Sequence, residues 1–128
     1  MINKTKFKDK KIFIAGAKGM AGGAIYKRFK QEGYNNLLTP NRSEIDLSKT
    51  TLVSNWFKDK KPDVVILAAA KVGGILDNSN HPVEFLLENI KIQNNVIESA
   101  WKNGVRRFLF LGSSCIYPKY AKQPIKEE

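Results

Sequence analysis

A short apolar run, Ile12, Phe13, Ile14 and Ala15, leads straight into glycines at Gly16, Gly19 and Gly22, and this junction constrains the chain more than any other feature. The β-branched and aromatic residues ahead of the first glycine read as a strand, and the residues after the last read as an amphipathic helix. Between them Gly16 allows a tight turn out of the strand, Gly19 allows backbone to approach a pyrophosphate, and Gly22 allows the helix to pack closely on the sheet. The helix N-terminus then presents free N–H groups and a partial positive charge. Three glycines alone would serve plain turns. Set between strand and helix, they point to a dinucleotide cradle made of Gly16, Ala17, Lys18, Gly19, Met20, Ala21 and Gly22.

Apolar residues at Met20, Ala24, Ile25 and Phe29, with lysines and an arginine between them, predict a helix over residues 20–31 that Gly33 ends. Residues 37–39 predict a short second strand closed by Pro40 and Asn41, and Ser48 or Thr50 can cap a helix through Trp56 and Phe57. The unbroken apolar run 64–70 predicts a third strand, parallel and buried on both faces, before Gly73 and Gly74 break the chain into a loop. Pro82 suits a first helical turn, and Val83, Phe85, Leu86, Leu87, Ile90, Val96, Ile97, Ala100 and Trp101 carry a long, partly buried helix to Gly104. Residues 108–111 predict a fourth strand.

Strand and helix alternate, so the expected fold is α/β: a Rossmann-type parallel sheet in the order 3-2-1-4 with helices on both faces. Ligands of such sheets lie beyond the carboxyl ends of the strands, here at the switch between strands one and four. The glycine loop falls on that edge, as do Asn41 and Arg42 after strand two, residues 68–74 after strand three, and Gly112, Ser113, Ser114 and Cys115 after strand four. Residues 117–122 continue from the same edge.

At 128 residues and 42% apolar, the chain has the size and core of one domain. Its single cysteine, Cys115, excludes an internal disulfide framework or a cysteine-rich zinc site and fits a reducing cytosol. No run is long and apolar enough to span a membrane, and the basic start, residues 1–11, lacks a following signal-type segment and reads as a solvated leader. A net charge of +10 raises nucleic acid as a partner. The charges are scattered through the chain with no recognisable nucleic-acid module, so they read as a lysine-rich surface that would attract phosphorylated ligands.

An acid at the end of strand two would accept the ribose hydroxyls of NAD, and none stands there. Lys18 and Arg42 supply cations instead, each an ordinary loop residue by itself, but jointly placed for the 2′-phosphate of NADP(H). Asp46 and Leu47 can border the adenine, although Asp46 suits a helix start equally well. Ala68, Ala69, Ala70, Leu111, Gly112, Ser113 and Ser114 complete the expected cofactor-binding set.

Three stretches are specific enough to carry a resemblance: IAGAKGMAG at 14–22, LAAAKVGG at 67–74 and LGSSCIYPK at 111–119. With Ala121, Lys122, Gln123 and Pro124 behind them, they resemble the GDP-L-fucose synthase family in one register from about Lys11 onward. The Gly-x-x-Gly-x-x-Gly spacing likewise resembles extended short-chain dehydrogenases of the NAD-dependent epimerase/dehydratase group. The resemblance implies an NADPH-dependent enzyme that epimerises GDP-4-keto-6-deoxy-D-mannose at C3 and C5 and then reduces C4 to give GDP-L-fucose. It implies that Ser113 hydrogen-bonds the C4 oxygen and that Cys115 is an acid or base in epimerisation, with Ser114 beside them.

By residue type alone, Ser113 would be a turn or cap residue and Cys115 a small hydrophobe whose thiol, with a pKa near 8.5, is mostly protonated at neutral pH. His81 reads as a helix-start residue, and Asn89 matches a structural or cofactor-supporting asparagine on the long helix. The family's Tyr-x-x-x-Lys pair is missing. Tyr26 and Lys30 have the spacing but sit on the first helix, and neither Tyr117 nor Tyr120 has a lysine four residues on.

The expectation is therefore an incomplete NADP-binding Rossmann domain over residues 1–128, truncated after the fourth strand, without its C-terminal substrate domain and inactive alone. An unpaired outer strand would invite a homo-oligomer or a complementary C-terminal chain. Another nucleotide-sugar epimerase or dehydratase, and a catalytically inactive dinucleotide-binding module, are the alternative readings.

Overall fold

The computed structural model describes residues 7–113 and 116–127. Its elements run β1 (Ile12–Ala15), α1 (Met20–Gln31), β2 (Leu37–Leu38), α2 (Thr50–Lys60), β3 (Val64–Leu67), α3 (Ile75–Asn80), α4 (Pro82–Lys102) and β4 (Arg107–Phe110). All strand pairs are parallel. Side chains alternate across β1 and β3 as a pleated strand requires. Ile12, Ile14, Val64 and Ile66 pack on one face with Ile25, Tyr26 and Phe29 of α1. Phe13, Ala15, Val65 and Leu67 pack on the other with Val53 and Phe57 of α2 and Ile92, Val96 and Ala100 of α4. The expected Rossmann-type sheet with helices on both faces is therefore present.

The strand order is 2-1-3-4, which corrects the expected 3-2-1-4. The reason lies in the faces the helices choose. α1 covers one face and α2 the opposite one. Right-handed crossovers over opposite faces move the chain in opposite directions along the sheet, so β3 returns past β1 and pairs with it. The expected order would also have put β2, two residues long and only half-buried, inside the sheet. The switch point accordingly falls between β1 and β3, not between strands one and four.

Smaller departures have equally local causes. The third strand stops at Leu67 rather than Ala70, and the loop expected at Gly73 and Gly74 holds the short helix α3, with Gly74 as its N-cap. Neither Ser48 nor Thr50 caps α2: Lys49 is its N-cap and makes no side-chain cap bond. The Ser48 hydroxyl instead donates to Asp46 Oδ1 at 2.7 Å, and the Thr50 hydroxyl donates to Asn95 Oδ1 at 2.9 Å. α1 ends with Gly33 just beyond it at φ +81°, and Pro82 opens α4, both as expected.

Candidate functional site

The loops leaving β1, β2 and β3 surround a cleft of about 260 Å³, roofed by α4. Gly16, Ala17 and Lys18 form one wall, residues 39–42 with Ile45, Asp46 and Leu47 a second, and Ala69, Ala70 and Lys71 a third. Glu88 and Ile92 close it from α4, and Phe13 and Ala15 form its floor.

Gly16 is irreplaceable for two separate reasons. Its φ is +83°, and a Cβ there would stand 2.7 Å from the Ala68 carbonyl oxygen and 2.9 Å from Ala69 Cα. The turn can leave β1 and graze the end of β3 only without a side chain. At Gly22 a Cβ would collide with the Gly16 carbonyl, so the first turn of α1 closes on the loop itself. The Gly19 N–H donates to the Gly16 oxygen at 2.9 Å, and Gly19 N-caps α1 with no side-chain cap bond. The first-turn N–H groups of Met20, Ala21 and Gly22 therefore have no side chain laid across them. A glycine cradle closed on itself beneath an uncapped helix N-terminus fits a dinucleotide's phosphates.

Asn41 organises the second wall: its side-chain oxygen accepts the backbone N–H groups of Ser43 at 2.9 Å and Glu44 at 3.2 Å. Asp46 builds the next turn by accepting the Ser48 hydroxyl and, at 3.0 Å, the Ser48 N–H. The Ser48 hydroxyl and N–H hold its carboxyl below the ordinary carboxylate range, and Arg42 contributes to the same effect. Buried Asn95 of α4 fastens this loop from below, donating to the Leu47 carbonyl at 3.0 Å while accepting from Thr50. Asn89 does the same for the third wall, accepting the Lys71 N–H at 2.7 Å and donating to the Lys71 carbonyl at 3.0 Å.

Of the sequence-predicted cofactor residues, Gly16, Ala17, Lys18, Arg42, Asp46, Leu47, Ala69 and Ala70 line the cleft together. Gly19, Met20, Ala21, Gly22 and Ala68 do not line it. Leu111, Gly112 and Ser113 follow β4, where the Leu111 N–H donates to the Leu67 carbonyl at 3.1 Å, and they stand outside the cleft. Ser113 is exposed, and its carbonyl accepts the Ile116 N–H at 3.3 Å. Ser114 and Cys115 lie outside the described residues. Tyr26 packs among the α1-face residues, far from the chemistry its spacing with Lys30 would suggest. His81 links α3 to α4, with Nδ1 3.1 Å from Asp77 Oδ1.

Sequence reasoning placed Lys71 on the ligand edge within residues 68–74 but missed Glu88 and Ile92 as cleft residues and Asn95 as the fastening beneath it. All three continue the inward helical spacing of α4 from Phe85. Among the described residues, no group of three or more His, Cys, Asp or Glu side chains could hold a metal ion, and no helix is long and apolar enough to cross a membrane.

Comparison with known proteins agrees with this geometry. The chain is 50% identical over 120 residues to GDP-L-fucose synthase 1 of Arabidopsis thaliana, covering 94% of this chain and 37% of that protein. It is 46% identical over 117 residues to the GDP-L-fucose synthase of Escherichia coli, covering 91% and 36%. Among solved structures, the NADP-bound GDP-mannoheptose C4 reductase MlghC from Campylobacter jejuni superposes with a TM-score of 0.89 at 40% identity, over 93% of this chain and 38% of that one. The NADP-bound GDP-L-fucose synthetase of Naegleria fowleri follows with 0.81 at 26%, over 93% and 35%. The chain thus spans little more than a third of the length of these relatives. The NAD dependent epimerase/dehydratase family model matches residues 12–128, and the chain belongs to that family.

Proposed function

We propose that this chain is the cofactor-binding part of an NADPH-dependent enzyme that turns GDP-4-keto-6-deoxy-D-mannose into GDP-L-fucose by epimerisation at C3 and C5 and reduction at C4. The observation that carries the reading is the cleft at the β1/β3 switch point, where the glycine loop and Arg42 meet across a crevice. The names of the relatives, GDP-L-fucose synthases at 46–50% identity, supply the sugar nucleotide. On this reading residues 1–128 are the NADP-binding domain, and the sugar-binding residues belong to the further length that the relatives possess. One cysteine in 128 residues is in keeping with a cytosolic enzyme.

Met20, Ala21 and Gly22 would receive the pyrophosphate through backbone N–H groups, over the turn that Gly16, Ala17 and Gly19 form. Lys18 and Arg42 would take the 2′-phosphate, Asp46 and Leu47 would border the adenosine, and Ala68, Ala69 and Ala70 would border the cofactor from the β3 side. Leu111, Gly112, Ser113 and Ser114, which follow β4 in the sequence, would border the nicotinamide. Bound NADPH would supply a hydride for the C4 carbonyl carbon, and the proton that the C4 oxygen takes up would come from a donor in the further length that the relatives possess. The Ser113 hydroxyl donates a hydrogen bond to the C4 oxygen, where negative charge gathers in both the enolate and the reduction steps. The Cys115 thiol moves a proton to or from the carbon beside the ketone.

A GDP-sugar C4 reductase with a different sugar is the second reading, favoured by the 40% identity to the Campylobacter heptose reductase. Both readings require the same cofactor half. Titrating the chain with NADPH and NADH by nicotinamide fluorescence tests it: saturable binding preferring NADPH is expected, and the preference should vanish in Lys18→Ala/Arg42→Ala. Folded protein that binds neither nucleotide would sink the proposal.

A further inference from the structure

A carboxylate stands where the proposed cofactor site least needs one. Glu88 on α4 lines the cleft and bridges two of its walls: Oε1 lies 3.0 Å from Arg42 Nη2 and Oε2 lies 3.2 Å from Lys71 Nζ. The three side chains form a strap from the β2 loop to the β3 loop across the crevice. Its two ends are unequal. Lys71 is fixed, because Asn89 grips its backbone at both N–H and carbonyl and its ammonium sits 5.2 Å from the centre of the Phe85 ring. Arg42 rises from an exposed loop with its side chain 74% exposed, against 21% for Glu88.

We propose that Glu88 is a displaceable counter-ion for Arg42: it holds the guanidinium while the cleft is empty and yields it to a ribose 2′-phosphate, and so limits how strongly the chain prefers phosphorylated ribose. The proposal rests on the reading of Arg42 given under Proposed function. Exchange is inexpensive because Glu88 keeps Lys71 as its partner when Arg42 leaves, so no half-buried carboxylate is stranded. The guanidinium gives up one anion and gains a more highly charged one whose geometry suits its fork of donors. Until then the fraction of molecules with Arg42 paired to Glu88 is subtracted from the binding-competent population. An ion pair with one exposed partner is weak, so that subtraction amounts to about two- to fivefold in affinity.

Calorimetric titration with 2′,5′-ADP and 5′-AMP, which differ only in the 2′-phosphate, isolates the effect without any catalytic turnover. The wild-type chain should prefer 2′,5′-ADP and Arg42→Ala should lose that preference. Glu88→Gln should bind 2′,5′-ADP about two- to fivefold more tightly with 5′-AMP unchanged, and should have no effect in the Arg42→Ala background. Glu88→Asp, one methylene too short to hold both cations, should move the same way by less, and it provides the readout if the glutamine variant fails to fold. With the Arg42 dependence intact, unchanged or selectively weaker 2′,5′-ADP binding in the Glu88 variants overturns the proposal, the weaker case making Glu88 an orienting residue. A wild-type chain without the preference, or an Arg42→Ala chain that keeps it, overturns the assignment of Arg42 itself.

Discussion

β3 and β4 are neighbours of equal length, joined by the same parallel ladder in register, yet they live in different surroundings. Leu67 is 1% exposed and its β4 partner Phe110 is 48% exposed. All four residues of β3 are buried and all four of β4 are exposed. Hydrogen bonding therefore does not make a core strand; the layers above and below do. β3 lies beneath α1 on one face and α4 on the other, whereas on the α1 side of β4 a groove lined by Ile25, Phe29, Ile66 and Leu109 stays open. α4 repeats the contrast within one helix. Phe85, Ile92, Val96 and Ala100 turn inward, while Leu86, Ile90, Ile97 and Trp101 remain exposed. The two ends of the site inherit the difference: the cleft stands on the fully packed β1 and β3, and Leu111, Gly112 and Ser113 extend from the uncovered strand.

The largest effect expected from this contrast is at Leu67. Leu67→Ala should lower unfolding free energy by about 2–5 kcal/mol, since it removes a packed side chain and leaves a cavity between β3 and the helices on that face. Urea denaturation measures it, and a loss under about 1 kcal/mol would mean that the inner half is less tightly packed than its burial implies. Asn95→Ala comes next, at about 1–3 kcal/mol, because the carbonyl of half-buried Leu47 and the Thr50 hydroxyl both lose their partner and a buried side chain is truncated. Nucleotide affinity should fall with it, since the Asp46 and Leu47 wall hangs on that side chain. Stability lost without affinity lost would show that the wall is set elsewhere.

A smaller effect tests the amino-terminal end of the same strands. Burial opposes the charge of Asp63, but the Lys11 N–H at 2.8 Å and the Lys10 ammonium at 3.2 Å outweigh it and hold its carboxyl below the ordinary value. A lowered folded pKa means that the charged form stabilises the native state above the unfolded value of about 3.9 and ceases to as pH falls through the folded value. Wild type should thus exceed Asp63→Asn at neutral pH by less than about 1 kcal/mol, the pair being partly exposed and screened. The difference should shrink below about pH 4. A gap that persists at lower pH would assign the effect to packing instead.

How much of this was legible in the sequence depends on what each feature needed. Gly16 announced itself because a positive φ and a backbone 2.7 Å away permit no other residue. The apolar runs announced β1 and β3, since a strand buried on both faces has no polar side. Strand order was not legible: alternation says that helices cross over the sheet, but the face each one covers depends on contacts between α1, α2 and residues far away in sequence. The Glu88 strap was hidden for the same reason, as Arg42, Lys71 and Glu88 come from three separate segments and no spacing joins them. Helix capping misled at Ser48 and Thr50 because both hydroxyls found better acceptors in Asp46 and Asn95.

The smallest effects belong to the outer half, and they bear most directly on the contrast. Phe110→Ala should cost less than about 1 kcal/mol, although the same truncation in a core costs about 3–5. Trp101→Ala, at 76% exposure on the outer face of α4, should change stability by no more than about 0.5 kcal/mol. Both side chains are large and apolar, so what distinguishes them from Phe13 or Phe57 is only whether something covers them. If either variant proves as costly as Leu67→Ala in the chain by itself, that surface is already covered in solution, and the cost should then depend on protein concentration, because association stabilises by mass action and a monomer's own packing does not. A small, concentration-independent cost leaves β4 and the outer face of α4 as bare as the structure has them.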